Sequence, residues 1–203
     1  MTISDPGGLV SLDISTPIWD RFFMVAPLVL IGTCEKNGDI DLAPKHMVMP
    51  MGWDNYIGFV CTERHNTYKN IRRSGEFTVS FPRPSQLLYT SLAASPRCGT
   101  KNEKSSLAVL PTFPAKTIKC DFIKDAYLFF ECRHYKTIDG FGINSLVTGE
   151  IMAAYVDKNA QRISDLDDQD LIHDSPLLAY LHPGRFATID TSNSFPFPSG
   201  MKK

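Results

Sequence analysis

PLVLIGTCEKNGDIDLAPKHMVMPMGWDNYIGFVCTERHNTYKNIRRSGEFTVSFP (residues 27–82) moves from strand period to helix period and back. LVLIGTC (28–34) is a continuous apolar run rich in β-branched residues, which predicts a buried strand. EKNGDID follows, and its Asn37-Gly38 pair is a hairpin-turn signal. LAPKHMVMPMGW (42–53) continues extended, with Pro44 and Pro50 marking an edge or a bend. NYIGFVC (55–61) predicts another strand. NTYKNIRRSG then predicts a short helix, with Asn66 or Thr67 as its cap and Gly75 as its end. EFTVSFP (76–82) alternates again as a strand.

Outside this stretch the pattern is similar. PSQLLYTSLAAS (84–95) carries Leu87, Leu88 and Leu92 at helical spacing after Pro84. A loop covers about 96–116. TIKCDF (117–122), AYLFFECRHYKTI (126–138) and SLVTGEIMAAYVD (145–157) predict strands, and DSPLLAYLHPG (174–184) a short helix. Strands and long crossover helices do not alternate, so a doubly wound parallel sheet is not expected. Many strands, Gly/Pro turns and few helices predict a mainly β fold with short helices, a β-barrel with one or two helices attached. Residues 1–190 are expected to form a single domain. TSNSFPFPSGMKK (191–203) reads as a frayed tail; the alternative is an arm whose Phe195 and Phe197 dock on a partner subunit.

The 203 residues are 43% hydrophobic and 21% charged, and the formal net charge is -1. Bulk electrostatics therefore point to no nucleic-acid or membrane-surface partner, and any anion site must be local. The five cysteines are odd in number and include no C-x-x-C pair, against a disulfide scaffold or a cysteine zinc site. MTISDPGG has no basic segment followed by an apolar run, and the longest apolar run is too short to span a bilayer, so the expected location is cytoplasmic.

The chemistry concentrates in CTERHNTYKNIRRSGEF (61–77), where a strand ends near Thr62 and a helix begins near Asn66. A helix N-terminus presents unpaired N–H groups and partial positive charge, and phosphates bind there. Arg64, His65, Thr67 and Lys69 add donors at the same point. Basic residues at a helix start run against the dipole, which makes sense if an anion neutralises them. The competing reading is a pair of ordinary caps, with Arg72 and Arg73 on a solvated face.

Other motifs carry less. There is no P-loop, and GFGINS (140–145) has only two glycines of a dinucleotide fingerprint and reads as a turn. DLDDQD (165–170) lacks the glycine and glutamate of a calcium loop and reads as a solvated acidic turn. No histidine spacing supports a metal site, no serine sits in a nucleophile elbow, and Cys61 and Cys98 have no evident His partner in sequence. In KHMVMPM (45–51), Met47, Met49 and Met51 share one strand face. That face is either a Met-lined core or a soft wall against a flat aromatic ligand.

The order of these elements resembles the flavin reductase-like, FMN-binding split-barrel family. The resemblance is carried by the P-L-V-L-I strand, the N-G turn, D-L-A-P, and the H-N-T-x-x-N-I-x-x-S-G-E-F-x-V-S block. It extends more loosely to the E-C and G-E-I strands and covers about 18–157. It implies a Greek-key split β-barrel, a homodimer, and FMN near the subunit interface. On this resemblance Lys45, His46, Met47 and Val48 run along the flavin ring. Cys61, Thr62, Arg64, His65, Asn66, Thr67 and Asn70 hold the ribityl chain and phosphate, and Lys101 closes over the phosphate. The chain departs from the family in having Lys45-His46-Met47 where a small Ser or Thr commonly stands, and Asp54-Asn55-Tyr56 where a D-P-P turn is common.

The resemblance implies a flavin-dependent oxidoreductase that passes electrons from NADH, NADPH or a protein donor to flavin or another acceptor. The cofactor carries the chemistry. Lys45 or His46 is expected beside N1/C2=O, where a cation favours the reduced, anionic flavin. Two alternatives stand beside it. One is a flavoredoxin-like electron-transfer module without its own nicotinamide site. The other is a split barrel holding haem, with His46 or His65 as axial ligand.

Overall fold

A computed structural model of the chain describes residues 7–98, 104–162 and 167–201. Strand β1 (Met24–Pro27) leads into β2 (Val29–Cys34), the predicted buried run. Val29 and Ile31 join one apolar cluster and Leu30 another, so β2 is covered on both faces. That double burial explains an unbroken apolar stretch where a one-sided strand would alternate. The chain reverses at Asn37-Gly38, where Gly38 takes φ 93 and donates its N–H to the Glu35 carbonyl at 3.1 Å. It returns as β3 (Ile40–Lys45), then β4 (Val48–Pro50) and β5 (Tyr56–Thr62). Helix α1 (Asn66–Ser74) ends on Gly75 in the left-handed region, as its sequence predicts. Then come β6 (Glu76–Phe81), a single 3-10 turn over Pro84–Gln86, and α2 (Leu87–Leu92). The second half holds β7 (Thr112–Pro114), β8 (Asp121–Ile123) and the long hairpin of β9 (Leu128–Phe141) and β10 (Asn144–Val156). Helix α3 (Asp168–Asp174), β11 (Leu177–His182) and β12 (Arg185–Ile189) complete it.

Seven strands form one antiparallel sheet in the order β3-β2-β6-β9-β10-β5-β4. Its two edges, β3 and β4, are consecutive in the chain with only His46 and Met47 between them. Edge strands so tethered cannot lie at the ends of a flat sheet; the sheet curls until they meet. They are not ladder neighbours, so the barrel is split along this seam. Three register shifts between β9 and β10 add curvature. The interior is filled by Ile31, Ile57, Phe59, Phe77, Val79 and Val147, with Ile71 of α1 against them. A Cβ at Gly149 would stand 2.4 Å from the Phe77 ring, so glycine there lets the aromatic sit against the sheet. A second cluster, including Leu30, Leu42, Ala93 and Ile123, lies on the other side of β2. Strands β1, β11 and β12 make a separate three-stranded sheet, and β7 pairs with β8.

Three expectations are corrected. Residues 174–184 are not a helix: β11 occupies most of them, paired with β1 on one side and β12 on the other. A short leucine-rich run suits either state, and two-sided pairing decides it. The helix lies just upstream: of the acidic turn expected over 165–170, the described residues Asp167–Asp170 form a helix start. Asp167 caps it by accepting from the Gln169 N–H at 2.7 Å. Of the strand expected over 117–122, only Asp121 and Phe122 are in a ladder. The Lys116 and Thr117 N–H groups donate instead to the buried Glu131 carboxylate, at 2.8 and 2.7 Å. The helix expected over 84–95 is shorter than predicted and begins as a 3-10 turn. In the tail, residues 191–201 form no helix or strand; Phe195 and Phe197 contact each other, ring centroids 4.7 Å apart.

Candidate functional site

The step from β5 into α1 sets the site. His65 occupies the N-cap with extended backbone and makes no side-chain cap bond, and the first turn holds no acid. Neither Asn66 nor Thr67 caps the helix as the sequence suggested. The Asn66 amide turns away and donates to Glu35 Oε1 at 2.9 Å. The N-cap side chain thus offers no acceptor and no acid offsets the positive end of α1, while the Tyr68 N–H is turned toward the Cys61 sulfur.

A cleft of about 470 Å³ opens at this end. One side is built by Lys45 at the end of β3 and by Arg64, His65, Asn66, Thr67 and Lys69. The facing side is the chain after α2, Ala93 to Arg97, together with Lys104. Among the described residues, no carboxylate lies within ion-pair distance of Lys45, Arg64 or Lys69.

The wall opposite is held by charge pairing. Asp41, only 2% exposed, receives Arg97 Nη2 at 2.9 Å and Lys104 Nζ at 3.4 Å. Arg97 also pairs with Glu35, and Lys104 Nζ donates to the Leu42 carbonyl at 2.8 Å. Burial lowers the Lys104 pKa, and Asp41 works against that shift. The sequence reading missed Asp41, Arg97 and Lys104. An aspartate inside the apolar β3 pattern was the available signal, since a buried carboxylate needs partners. Lys101, the loop residue expected here, lies outside the described residues.

His65 has its pKa lowered by burial first, then by Lys45, Arg64 and Lys104. These effects favour the neutral imidazole, which has one donor and one acceptor nitrogen. Cys61 Sγ lies 4.0 Å from His65 Nδ1, a partner the sequence did not reveal. Burial raises the Cys61 thiol pKa, so the pair is biased away from thiolate and imidazolium. Thr62 Oγ1 is buried without a hydrogen-bond partner among the described residues, and Thr62 lines an adjoining pocket that shares Arg64.

The other anticipated residues stand outside the cleft. Val48 and Cys61 belong to the barrel core. His46, in the link between β3 and β4, packs on Tyr180 and His182, with ring centroids 4.5 and 5.2 Å away. Asn70 is buried; its amide donates to Thr33 Oγ1 at 3.1 Å and its carbonyl accepts from Arg73. That bonding ties α1 to β2. Met47, Met49 and Met51 do share a face, and it is half-exposed rather than core.

A helix start with no side-chain cap, and three cations and a buried threonine hydroxyl that lack partners among the described residues, suit a ligand ending in a phosphate. Among the described residues no group of His, Cys, Asp and Glu could hold a metal ion, and no helix is long and apolar enough to cross a membrane.

Comparison with known proteins agrees with the fold. The model of the flavin reductase like domain matches residues 21–189. Flavoredoxin from Methanosarcina acetivorans superposes with a TM-score of 0.74 at 21% identity, covering 95% of this chain and 97% of that one. Nitrilotriacetate monooxygenase component B from Bacillus cereus gives 0.77 at 16% identity, over 92% and 98%. A structure assigned as a flavin reductase with split barrel domain from Shewanella frigidimarina gives 0.73 at 20%, over 86% and 87%. A curated, uncharacterized protein of Pyrococcus abyssi is 26% identical over 97 residues, and the match spans about half of each chain, 48% of this one and 54% of that one. The split barrel and the family match over most of the chain together place this protein in the flavin reductase-like family, whose business is flavin-linked redox chemistry.

Proposed function

We propose that the protein binds FMN with its phosphate at the N-terminus of α1, and works as a flavin-dependent oxidoreductase. The observation that carries this reading is the set of three cations, Lys45, Arg64 and Lys69, with no carboxylate partner among the described residues, around a helix end that its N-cap side chain does not cap. Arg64 and Lys69 neutralise the phosphate, Thr67 offers a hydroxyl, and the first N–H groups of α1 point to the same place. Lys45 stands at the end of β3, where the flavin ring of the proposed complex begins. Bound FMN supplies hydride and single-electron chemistry. The protein orients it, holds positive charge beside it, and offers His65 as a hydrogen-bond partner.

The electron donor is proposed to be NADH, NADPH or a protein, and the acceptor flavin or another molecule. A homodimer is part of the proposal, supported by the half-exposed Met47, Met49 and Met51 and the exposed Trp53 on the β4 side of the barrel. Residues 1–190 are taken as one unit with a short tail, and free thiols favour a reducing, cytoplasmic setting.

The test is an FMN titration followed by steady-state NADH and NADPH oxidation. Saturable FMN binding with turnover supports the reductase. Binding without turnover by either nicotinamide supports an electron-transfer module fed by a protein donor. A protein that binds no FMN sinks the reading.

A further inference from the structure

Two of the five cysteines meet where β8 crosses β2 and β6. The crossing is held by hydrogen bonds in register along β6. The Ile123 N–H donates to Ser80 Oγ at 3.3 Å, Thr78 Oγ1 donates to the Asp121 carbonyl at 2.6 Å, and the Lys119 N–H donates to Glu76 Oε2 at 3.4 Å. Strand β6 in turn pairs Ser80 with Leu30 and Thr78 with Gly32. Leu30, Gly32 and Cys34 alternate onto one face of β2, and β8 lies over that face. Leu30 shares a cluster with Ile123, and a Cβ at Gly32 would run into the Asp121 carbonyl. The missing Cβ lets the two backbones come together. One step further along the same face stands Cys34, level with Lys119 and Cys120. The Cys34 N–H is turned toward the Cys120 sulfur.

The two thiols differ in access. Cys120 is buried, and burial, with Cys34, Glu76 and Asp121 beside it, pushes its thiol pKa up to about 12. A dissolved oxidant finds no thiolate there. Cys34 is partly exposed, and its thiol donates to the adjoining Glu35 carbonyl at 3.6 Å. We infer that Cys34 and Cys120 are a redox pair, in which a peroxide oxidises Cys34 and Cys120 resolves it as a reversible intrachain disulfide. In the first step the Cys34 sulfur attacks hydrogen peroxide, the O–O bond breaks, and Cys34 sulfenic acid and water are formed. In the second the Cys34 side chain turns off the Glu35 carbonyl and the Cys120 sulfur attacks it. The S–S bond forms, the S–O bond breaks, and a second water leaves with the Cys120 proton. Two thiols thereby lose two electrons to one peroxide. Proximity stands in for thiolate character at Cys120, because the electrophile is held against it. The pair lies outside the phosphate cleft, so its oxidation is independent of the flavin reading.

The reduced full-length protein is treated with hydrogen peroxide, its free thiols are blocked with N-ethylmaleimide, and linked peptides are mapped by mass spectrometry without reduction. A Cys34–Cys120 peptide that dithiothreitol removes is expected, with no linked chains on a non-reducing gel. Cys34→Ser should abolish the linkage. Cys120→Ser should strand Cys34 as sulfenic acid and raise its capture by dimedone several-fold over the parent protein. Exposed Cys98 is the internal control for simple accessibility. Oxidation of Cys98 with Cys34 still reduced overturns the inference. So does a Cys34–Cys98 or interchain linkage in place of Cys34–Cys120, or dimedone capture of Cys34 that Cys120→Ser does not raise. The parent protein's peptide map decides the matter even where a variant fails to fold.

Discussion

At the scale of single residues, two buried acids do different work. Asp41 holds Arg97 and Lys104 in one wall of the cleft. Asp41→Asn leaves two cations, one of them deeply buried, without their carboxylate. The expected loss is about 3–5 kcal/mol of stability, read by urea unfolding. Glu131 is fully buried in the sheet and accepts from the Lys116 and Thr117 N–H groups, the Thr117 hydroxyl and Tyr155. Burial alone would raise its pKa; the bonds from Thr117, Lys116 and Tyr155 outweigh it and hold the carboxyl below its ordinary 4.5. A depressed carboxyl pKa contributes stability above 4.5 that is lost as pH falls through the folded value. Unfolding of Glu131→Gln between roughly pH 5 and 3 should therefore vary less with pH than the parent protein does. An equal acid slope would remove Glu131 as its source. In the cradle, Arg64→Ala with Thr67→Ala should weaken FMN by about 2–4 kcal/mol, two phosphate bonds lost. Unchanged affinity by fluorescence titration would displace the phosphate from α1.

At the scale of elements, sequence pattern and structure agree where one physical signal dominates. β2, the Asn37-Gly38 turn, α1 with its Gly75 stop, and the β9–β10 hairpin were all legible because period, turn chemistry and burial coincide. The departures occur where a distant partner decides. β11 is a leucine-rich run made a strand by β1 and β12. The segment before β8 gives its N–H groups to a carboxylate on another strand. The cradle was readable from Arg64, His65 and Thr67 because strand end and helix start are local features. The Asp41–Arg97–Lys104 wall was not, since it depends on residues about 60 positions apart meeting across the cleft. Gly149→Ala tests an element contact directly. Its methyl would meet the Phe77 ring at 2.4 Å, and we expect about 1–3 kcal/mol of destabilisation by thermal unfolding. Restored stability in Gly149→Ala with Phe77→Leu would identify that clash as the cause.

At the scale of the whole molecule, the sheet order fixes how the site is held. The first cleft is walled by residues between Asp41 and Lys104, all upstream of β7. Yet β3 and β2 reach β5 and β4 through the ladder only by way of β6, β9 and β10. The strands that bring Lys45 and Arg64 to the cleft, β3 and β5, are therefore bridged through a hairpin that ends at Val156. During synthesis the ribosome delivers every residue of the cradle long before it delivers the bridge. An emerging chain has the ligand-binding residues but not the brace that sets their spacing. If the cleft holds FMN as proposed, its capture waits until β10 is free of the exit tunnel, and a chain ending before β9 should leave FMN in solution.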